Sequence, residues 1–294
     1  MKHQAEHPEY LSIKISARNL PRPVAEAARR MVNWLAGFSR FNATYAPVIA
    51  GGIPDNLGES FLGHIGARIE IIEGGLARIP RTGPVIIVAN HPFGVIEGLI
   101  LNAIVCSVRR DYKCLAAHLL AKLPGLDRNQ FVVEPSGKGA KRSMNVAAWH
   151  RVFKWLRQGG VFAVFPAGRA SHFSWRRRAV TDSAWSRHVG KLVRRSGAPV
   201  LPIYFPGRNG LFFQLTGLIH RDLQNTRLIP EFNKMRGRRF RVVIGELVQP
   251  DEFAGLDDDQ RLIDFLRGRT YALAARLESA EYVQFIGAGK STIS

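Results

Sequence analysis

Val85-Ile86-Ile87-Val88-Ala89-Asn90-His91-Pro92-Phe93-Gly94-Val95-Ile96-Glu97-Gly98-Leu99 is the stretch on which the reading of this chain turns. Its first five residues form an apolar run that predicts a buried strand. Asn90 and His91 stand where that strand ends. Pro92, Phe93 and Gly94 then predict a turn, because proline fixes one backbone angle and glycine tolerates left-handed ones. Glu97 opens an apolar segment, Leu99 to Val108, that suits a core helix. A histidine and a carboxylate are thus brought to the carboxyl end of a strand, where open α/β sheets keep their chemistry.

The pair has a chemical use. An imidazole is a good general base near neutral pH. A carboxylate on its other nitrogen fixes the tautomer and stabilises the imidazolium. On a continuous helix, residues six apart point to different faces. His91 and Glu97 therefore meet only if Pro92-Phe93-Gly94 is not helical and folds back. A second reading makes Glu97 a first-turn acid favoured by the helix dipole.

Working outward, the composition is globular, and the 42 Lys and Arg against 23 Asp and Glu give a net charge of +19. That excess points to a polyanionic partner, either nucleic acid or an anionic membrane surface. The two cysteines, Cys106 and Cys114, make no disulfide framework and no paired metal signature, so a reducing compartment is expected. The first twenty residues lack the apolar core of a signal peptide. No stretch reaches the length of a membrane span. Val24, Ala27, Met31, Trp34, Leu35 and Phe38 recur at helical spacing among Arg22, Arg29 and Arg30. They predict an amphipathic helix over 24–38, suited either to a membrane interface or to packing on the main domain. Residues 41–56 read as a connector.

Strands are expected at 68–73, 112–117, 131–133, 161–165, 199–205 and 238–248, and helices at 141–158, 183–195 and 257–277. Residues 211–235 read as a helix followed by a loop. Ser136-Gly137-Lys138-Gly139 matches no phosphate-binding loop, and Gly287-Ala288-Gly289-Lys290-Ser291-Thr292 only mimics the end of one. The alternation of strands and helices predicts an α/β fold, with a mixed, largely parallel central sheet flanked by helices. The expected organisation is an N-terminal arm and amphipathic helical segment at 1–66, an α/β domain at 67–250, and a C-terminal helix and tail at 251–294.

Three apolar strands end in Pro/Gly turns that carry polar groups: Asn90-His91-Pro92-Phe93-Gly94, Phe165-Pro166-Ala167-Gly168-Arg169-Ala170-Ser171 and Phe205-Pro206-Gly207-Arg208. In this order, and with Ala198-Pro199-Val200-Leu201-Pro202-Ile203 before the last, the set resembles the glycerolipid (lysophosphatidic acid) acyltransferase-like family. The resemblance covers about residues 68–250. The family's usual His-x4-Asp is here His91-x5-Glu97, as in the subgroup of hemolysin-like proteins and ornithine-lipid O-acyltransferases. Ala167 stands where the family has Glu, and Arg169 lies one place before the family Arg. The family's acceptor-binding Arg has no match near Glu134-Pro135.

The resemblance implies an O-acyltransferase that moves a fatty acyl group from acyl-CoA or acyl carrier protein to a hydroxyl of a lysolipid acceptor. His91 and Glu97 would be catalytic. Asn90, Phe93, Gly94, Pro166, Gly168, Arg169, Ser171 and Arg208 would bind substrate. A backbone N–H near Gly168 would hold the oxyanion, and Arg169 and Arg208 would hold anionic groups. No metal and no cofactor beyond the acyl donor is implied. The basic surface suits both an acidic carrier protein and anionic lipid, so a peripheral protein on the cytoplasmic face of the inner membrane is expected. Nucleic acid is not the expected partner, because the strand-end turns match no nucleic-acid motif. A basic nucleic-acid-binding protein and a catalytically degenerate lipid-binding protein are the rival readings.

Overall fold

Every residue of Val85–Ala89 is buried, and the strand divides its side chains between two cores. Val85, Ile87 and Ala89 join one apolar cluster, and Ile86 and Val88 join the other. That is the period-two alternation of a strand covered on both faces. The computed structural model describes residues 9–13, 21–72, 75–117, 123–133, 140–277 and 282–286. The Ser136–Gly139 segment, Glu134-Pro135 and the Gly287–Thr292 tail lie outside them, as does most of the N-terminal arm.

The strands are β1 (Arg68–Ile72), β2 (Val85–Ala89), β3 (Tyr112–Ala117), β4 (Gln130–Val133), β5 (Val161–Val164), β6 (His172–Ser174), β7 (Ala179–Thr181), β8 (Val200–Tyr204), β9 (Arg239–Ile244) and β10 (Tyr282–Ile286). Eight of them form one sheet in the order β10-β1-β9-β8-β2-β5-β3-β4, and β6 and β7 make a separate hairpin. β8, β2, β5, β3 and β4 run parallel. β9 is antiparallel to β8 and parallel to β1, and β10 is antiparallel to β1. The sheet is therefore mixed and largely parallel, as the alternation of elements predicts.

The helices are α1 (Arg22–Leu35), α2 (Phe38–Ile49), α3 (Leu57–His64), α4 (Ile96–Cys106), α5 (Ala140–Arg157), α6 (Arg187–Ser196), α7 (Leu211–Ile219), α8 (Arg221–Thr226), α9 (Leu228–Asn233) and α10 (Asp259–Ala272). Phe41, Tyr45 and Phe61 from α2 and α3 share one core with Ile100 and Ile104 of α4. Val152, Leu192 and Leu262 from α5, α6 and α10 belong to the other. The result is three layers, with the sheet in the middle.

Three expectations are corrected. Residues 41–56 are not a plain connector: α2 runs to Ile49 despite Pro47, because Phe41 and Tyr45 stack with Phe61 and, for Phe41, Phe232. Residues 211–235 hold three short helices rather than one and a loop. The helix expected from Ser183 begins at Arg187, with Ser186 as its N-cap. Beyond residue 250, β10 pairs with β1 and α10 packs on α6.

Candidate active site

The three strand-end turns belong to β8, β2 and β5, which are adjacent and parallel in the sheet. Their carboxyl ends therefore lie side by side on one edge, with His91 on the central strand. Side chains then sew the turns together. The Asn90 carboxamide accepts the Phe205 N–H at 2.7 Å and donates to the Phe205 carbonyl at 2.8 Å. Asn209 donates to the Phe93 carbonyl at 2.8 Å. The Ser171 N–H donates to the His91 carbonyl at 2.8 Å.

Residues 92–95 are non-helical, and α4 starts only at Ile96. Gly94 has φ +95°, and a Cβ there would stand 2.4 Å from a Leu228 methyl, so both the angle and the space call for glycine. This fold-back brings Glu97 beneath His91. Glu97 is fully buried. Its Oε1 accepts the Phe93 N–H at 2.6 Å and the Gly94 N–H at 3.2 Å, and lies 3.4 Å from His91 Nδ1. The two readings of Glu97 are thus compatible. The same oxygen takes backbone donors just ahead of α4 and faces the imidazole in ion-pair range. At 3.4 Å the contact is within ion-pair range but makes no hydrogen bond to Nδ1; catalytic hydrogen bonds tighten in substrate complexes.

His91 is also held at its ring face and along its backbone. Its ring stacks on Phe165, with centroids 4.0 Å apart and planes 15° from parallel. Its N–H donates to Asp182 Oδ1 at 3.2 Å. Asp182 Oδ1 also accepts the Ser171 hydroxyl at 2.5 Å, and Oδ2 accepts the Trp185 indole N–H at 2.9 Å. From α10, Arg267 donates to the Thr181 hydroxyl at 3.0 Å and to the Asp182 carbonyl at 3.4 Å. The Tyr271 hydroxyl accepts the Asp182 N–H at 3.0 Å. Burial, and after it the Asp182 charge, pushes the Tyr271 phenol up. Burial, and after it the Arg169 charge, pushes the His172 imidazole down.

The remaining expected site residues divide by exposure. Asn90, Phe93, Pro166 and Ser171 are buried. Phe93 meets Phe240 edge-on at 5.6 Å. Pro166 presents its carbonyl to the Ser186 N–H. Gly168 is exposed, and its N–H donates to the Phe165 carbonyl at 3.0 Å. Arg169 turns its guanidinium to the Gln224 side chain on α8. Arg208 is exposed on the turn after β8. Among the described residues, no cluster of His, Cys, Asp or Glu could hold a metal ion.

Sequence reasoning missed Asp182, Trp185, Asn209, Gln224, Arg267 and Tyr271 as parts of this site. One signal for Asp182 was present. Residues 172–181 close a hairpin in which His172 pairs with Thr181. Extending that register by one step sets Ser171 opposite Asp182.

The acyltransferase family model matches residues 66–280. The chain belongs to this acyltransferase family, as the three turns imply. The lyso-glycine lipid O-acyltransferase of Bacteroides thetaiotaomicron is 25% identical over 235 residues, covering 74% of this chain and 81% of that one. Its namesake from Phocaeicola vulgatus is 24% identical over 224 residues, covering 73% and 76%. The crystal structure of the 1-acyl-sn-glycerophosphate (LPA) acyltransferase PlsC from Thermotoga maritima aligns with a TM-score of 0.49 at 18% identity, over 75% of this chain and 78% of that one.

Proposed function

We propose that this acyltransferase moves a fatty acyl group from a thioester donor, acyl-CoA or acyl carrier protein, to a hydroxyl of a lysolipid. The observation that carries the reading is His91 itself. Its ring is stacked on Phe165, its backbone is bonded at both N–H and C=O, and its Nδ1 faces a fully buried carboxylate. That leaves Nε2 as the nitrogen for substrate. In the proposed step, Nε2 takes the proton of the acceptor hydroxyl as its oxygen attacks the thioester carbonyl. Glu97 keeps Nδ1 protonated and stabilises the imidazolium. Collapse of the tetrahedral intermediate breaks the carbon–sulfur bond, and the departing thiolate takes the proton back. An ester and a free thiol result.

The names of the two relatives favour a lysolipid with an amino-acid head group over lysophosphatidic acid. Ala167, in place of the family Glu, agrees with that departure. We place the protein at a membrane surface, on the cytoplasmic face of the inner membrane. Among the described residues no helix is long and apolar enough to cross a bilayer. The apolar face of α1 supports surface binding, since Met31, Trp34 and Leu35 are 58%, 70% and 60% exposed.

The deciding experiment incubates the protein with radiolabelled acyl-CoA or acyl carrier protein and a panel of lysolipids, lyso-glycine lipid, lyso-ornithine lipid and lysophosphatidic acid among them. Label is expected to enter an amino-acid lysolipid and to be lost by about 10³-fold or more in His91→Ala. Transfer that persists in His91→Ala overturns the mechanism. No transfer to any acceptor, with a folded protein, overturns the enzyme reading in favour of lipid binding alone.

A further inference from the structure

Helix α7, Leu-Phe-Phe-Gln-Leu-Thr-Gly-Leu-Ile over 211–219, buries Phe213 together with two polar side chains and turns most of its apolar residues outward. Gln214 and Thr216 are buried at 5% exposure, while Leu211, Phe212, Leu215 and Ile219 are 76%, 54%, 47% and 74% exposed. The outward residues share one face at helical spacing. Leu223 on α8 adds to it at 41%. A water-facing helix would place these groups the other way round, and contiguous exposed apolar surface marks an interaction site.

The surroundings of this face are cationic. The Arg227 guanidinium lies 4.5 Å from the centre of the Phe212 ring. The β6–β7 hairpin packs on α7 through β6. Its turn is Trp175-Arg176-Arg177-Arg178, with Trp175 74% exposed and all three arginines in solvent. Aliphatic side chains, an outward tryptophan and a set of arginines are the combination that binds the boundary between acyl chains and anionic head groups. A second copy of this chain would bring like-charged arginines together. A nucleic acid would leave the leucines without a partner.

The face also has a mechanical connection to His91. Its helix follows the Phe205–Gly210 loop, where Asn209 is bonded to the Phe93 carbonyl. The neck of the hairpin is the Ser171–Asp182 bond that braces the His91 backbone. We propose that α7 and the Trp175–Arg178 turn form a lip that sits on an anionic bilayer and delivers the lysolipid sideways to His91. This rests on the lysolipid reading above and adds a surface separate from α1.

The test uses the full chain and vesicles of phosphatidylglycerol with phosphatidylethanolamine, with phosphatidylcholine vesicles for comparison. Leu215→Glu/Ile219→Glu is expected to weaken co-sedimentation with the anionic vesicles by about tenfold or more. Both residues are solvent-exposed, so thermal unfolding should be unchanged. The milder Leu215→Ser/Ile219→Ser should follow in the same direction if the glutamates disturb folding. Arg176→Gln/Arg177→Gln/Arg178→Gln should erase most of the preference for anionic over phosphatidylcholine vesicles. Wild-type binding by both α7 variants overturns the proposal. So does a loss of binding confined to Met31→Glu/Trp34→Glu on α1, or a dimer that dissociates in the α7 variants with vesicle binding intact. Acyl transfer by the wild type to lysolipid in detergent micelles is scored separately. Its absence, with the vesicle results as expected, removes the enzyme reading and leaves the surface.

Discussion

Around the turn from β2 to α4, polar side chains are sealed inside the protein: Glu97 is fully buried, and Asn90 and, from beyond β7, Asp182 are each 4% exposed. Along α7, which starts just beyond the turn after β8, leucines, a phenylalanine and an isoleucine face out while Gln214 and Thr216 face in beside Phe213. The two regions touch through Asn209 and Phe93, yet they follow opposite rules. A buried polar group is tolerable only when bonded, so the groups around His91 fix one geometry. An exposed apolar face gains nothing until something covers it. The difference separates two tasks. In the proposed mechanism the turn sets the rate of the chemical step, and the proposed lip meets the substrate's environment. Substitutions in the turn should therefore act on kcat, and substitutions along the lip on apparent affinity.

The largest break in that division is expected from Glu97→Gln. The amide oxygen can still accept the Phe93 and Gly94 N–H groups, so the start of α4 should survive. What is lost is the charge 3.4 Å from His91 Nδ1. We expect kcat to fall by about 10²–10³-fold with KM nearly unchanged. Steady-state kinetics beside a thermal melt measures both. A near-wild-type kcat would make Glu97 a cap of the helix and nothing more.

Asp182→Asn should come next. In the proposed mechanism Asp182 is a positioning residue, acting on the reaction through the His91 backbone. Asparagine keeps one acceptor for Ser171 and His91 but turns an NH2 toward the Trp185 indole N–H, donor against donor. One buried bond becomes a conflict, which costs about 1–3 kcal/mol and lowers Tm by about 3–8 °C. A shift of His91 of a few tenths of an ångström should lower kcat about tenfold while KM holds. Trp185→Phe removes the opposing donor. Asp182→Asn/Trp185→Phe should therefore cost less than the two single changes summed. Strict additivity would show that the Asp182–Trp185 bond does not hold the turn.

Much of the turn was legible because its causes are local. Five apolar residues, then Asn-His-Pro-Phe-Gly, then an acid opening an apolar helix, describe β2, its end and α4 without reference to the rest of the chain. The other two turns were legible for the same reason. Their adjacency on β8, β2 and β5 was not, since strand order is set by long crossovers. Asp182 escaped because its partners lie up to 91 residues away. Its nearer partner Ser171 is reached only by closing a hairpin whose turn is Trp175–Arg178. Nothing near Arg169 in sequence announces its contact with Gln224. α7 was read as a helix, but which side it would bury could not be read. Apolar periodicity predicts a core face, and here that face points outward.

Arg208 gives the smallest expected effect and the sharpest test of the division. It lies on the turn that joins β8 to α7, exposed, one residue before the Asn209 that is bonded to the Phe93 carbonyl. An exposed guanidinium at that place can attract an anionic donor without touching the geometry of His91. Its interaction is screened by salt and falls away within about 10 Å at 0.1 M ionic strength. Arg208→Gln should therefore raise KM for acyl carrier protein or acyl-CoA by about threefold to tenfold at low salt. It should leave kcat unchanged and lose its effect as salt rises. Initial rates against donor concentration at two ionic strengths resolve this. A drop in kcat that persists in high salt would place Arg208 with the turn rather than the lip, against the reacting atoms, and the boundary between the two regions would have to move to α7 itself.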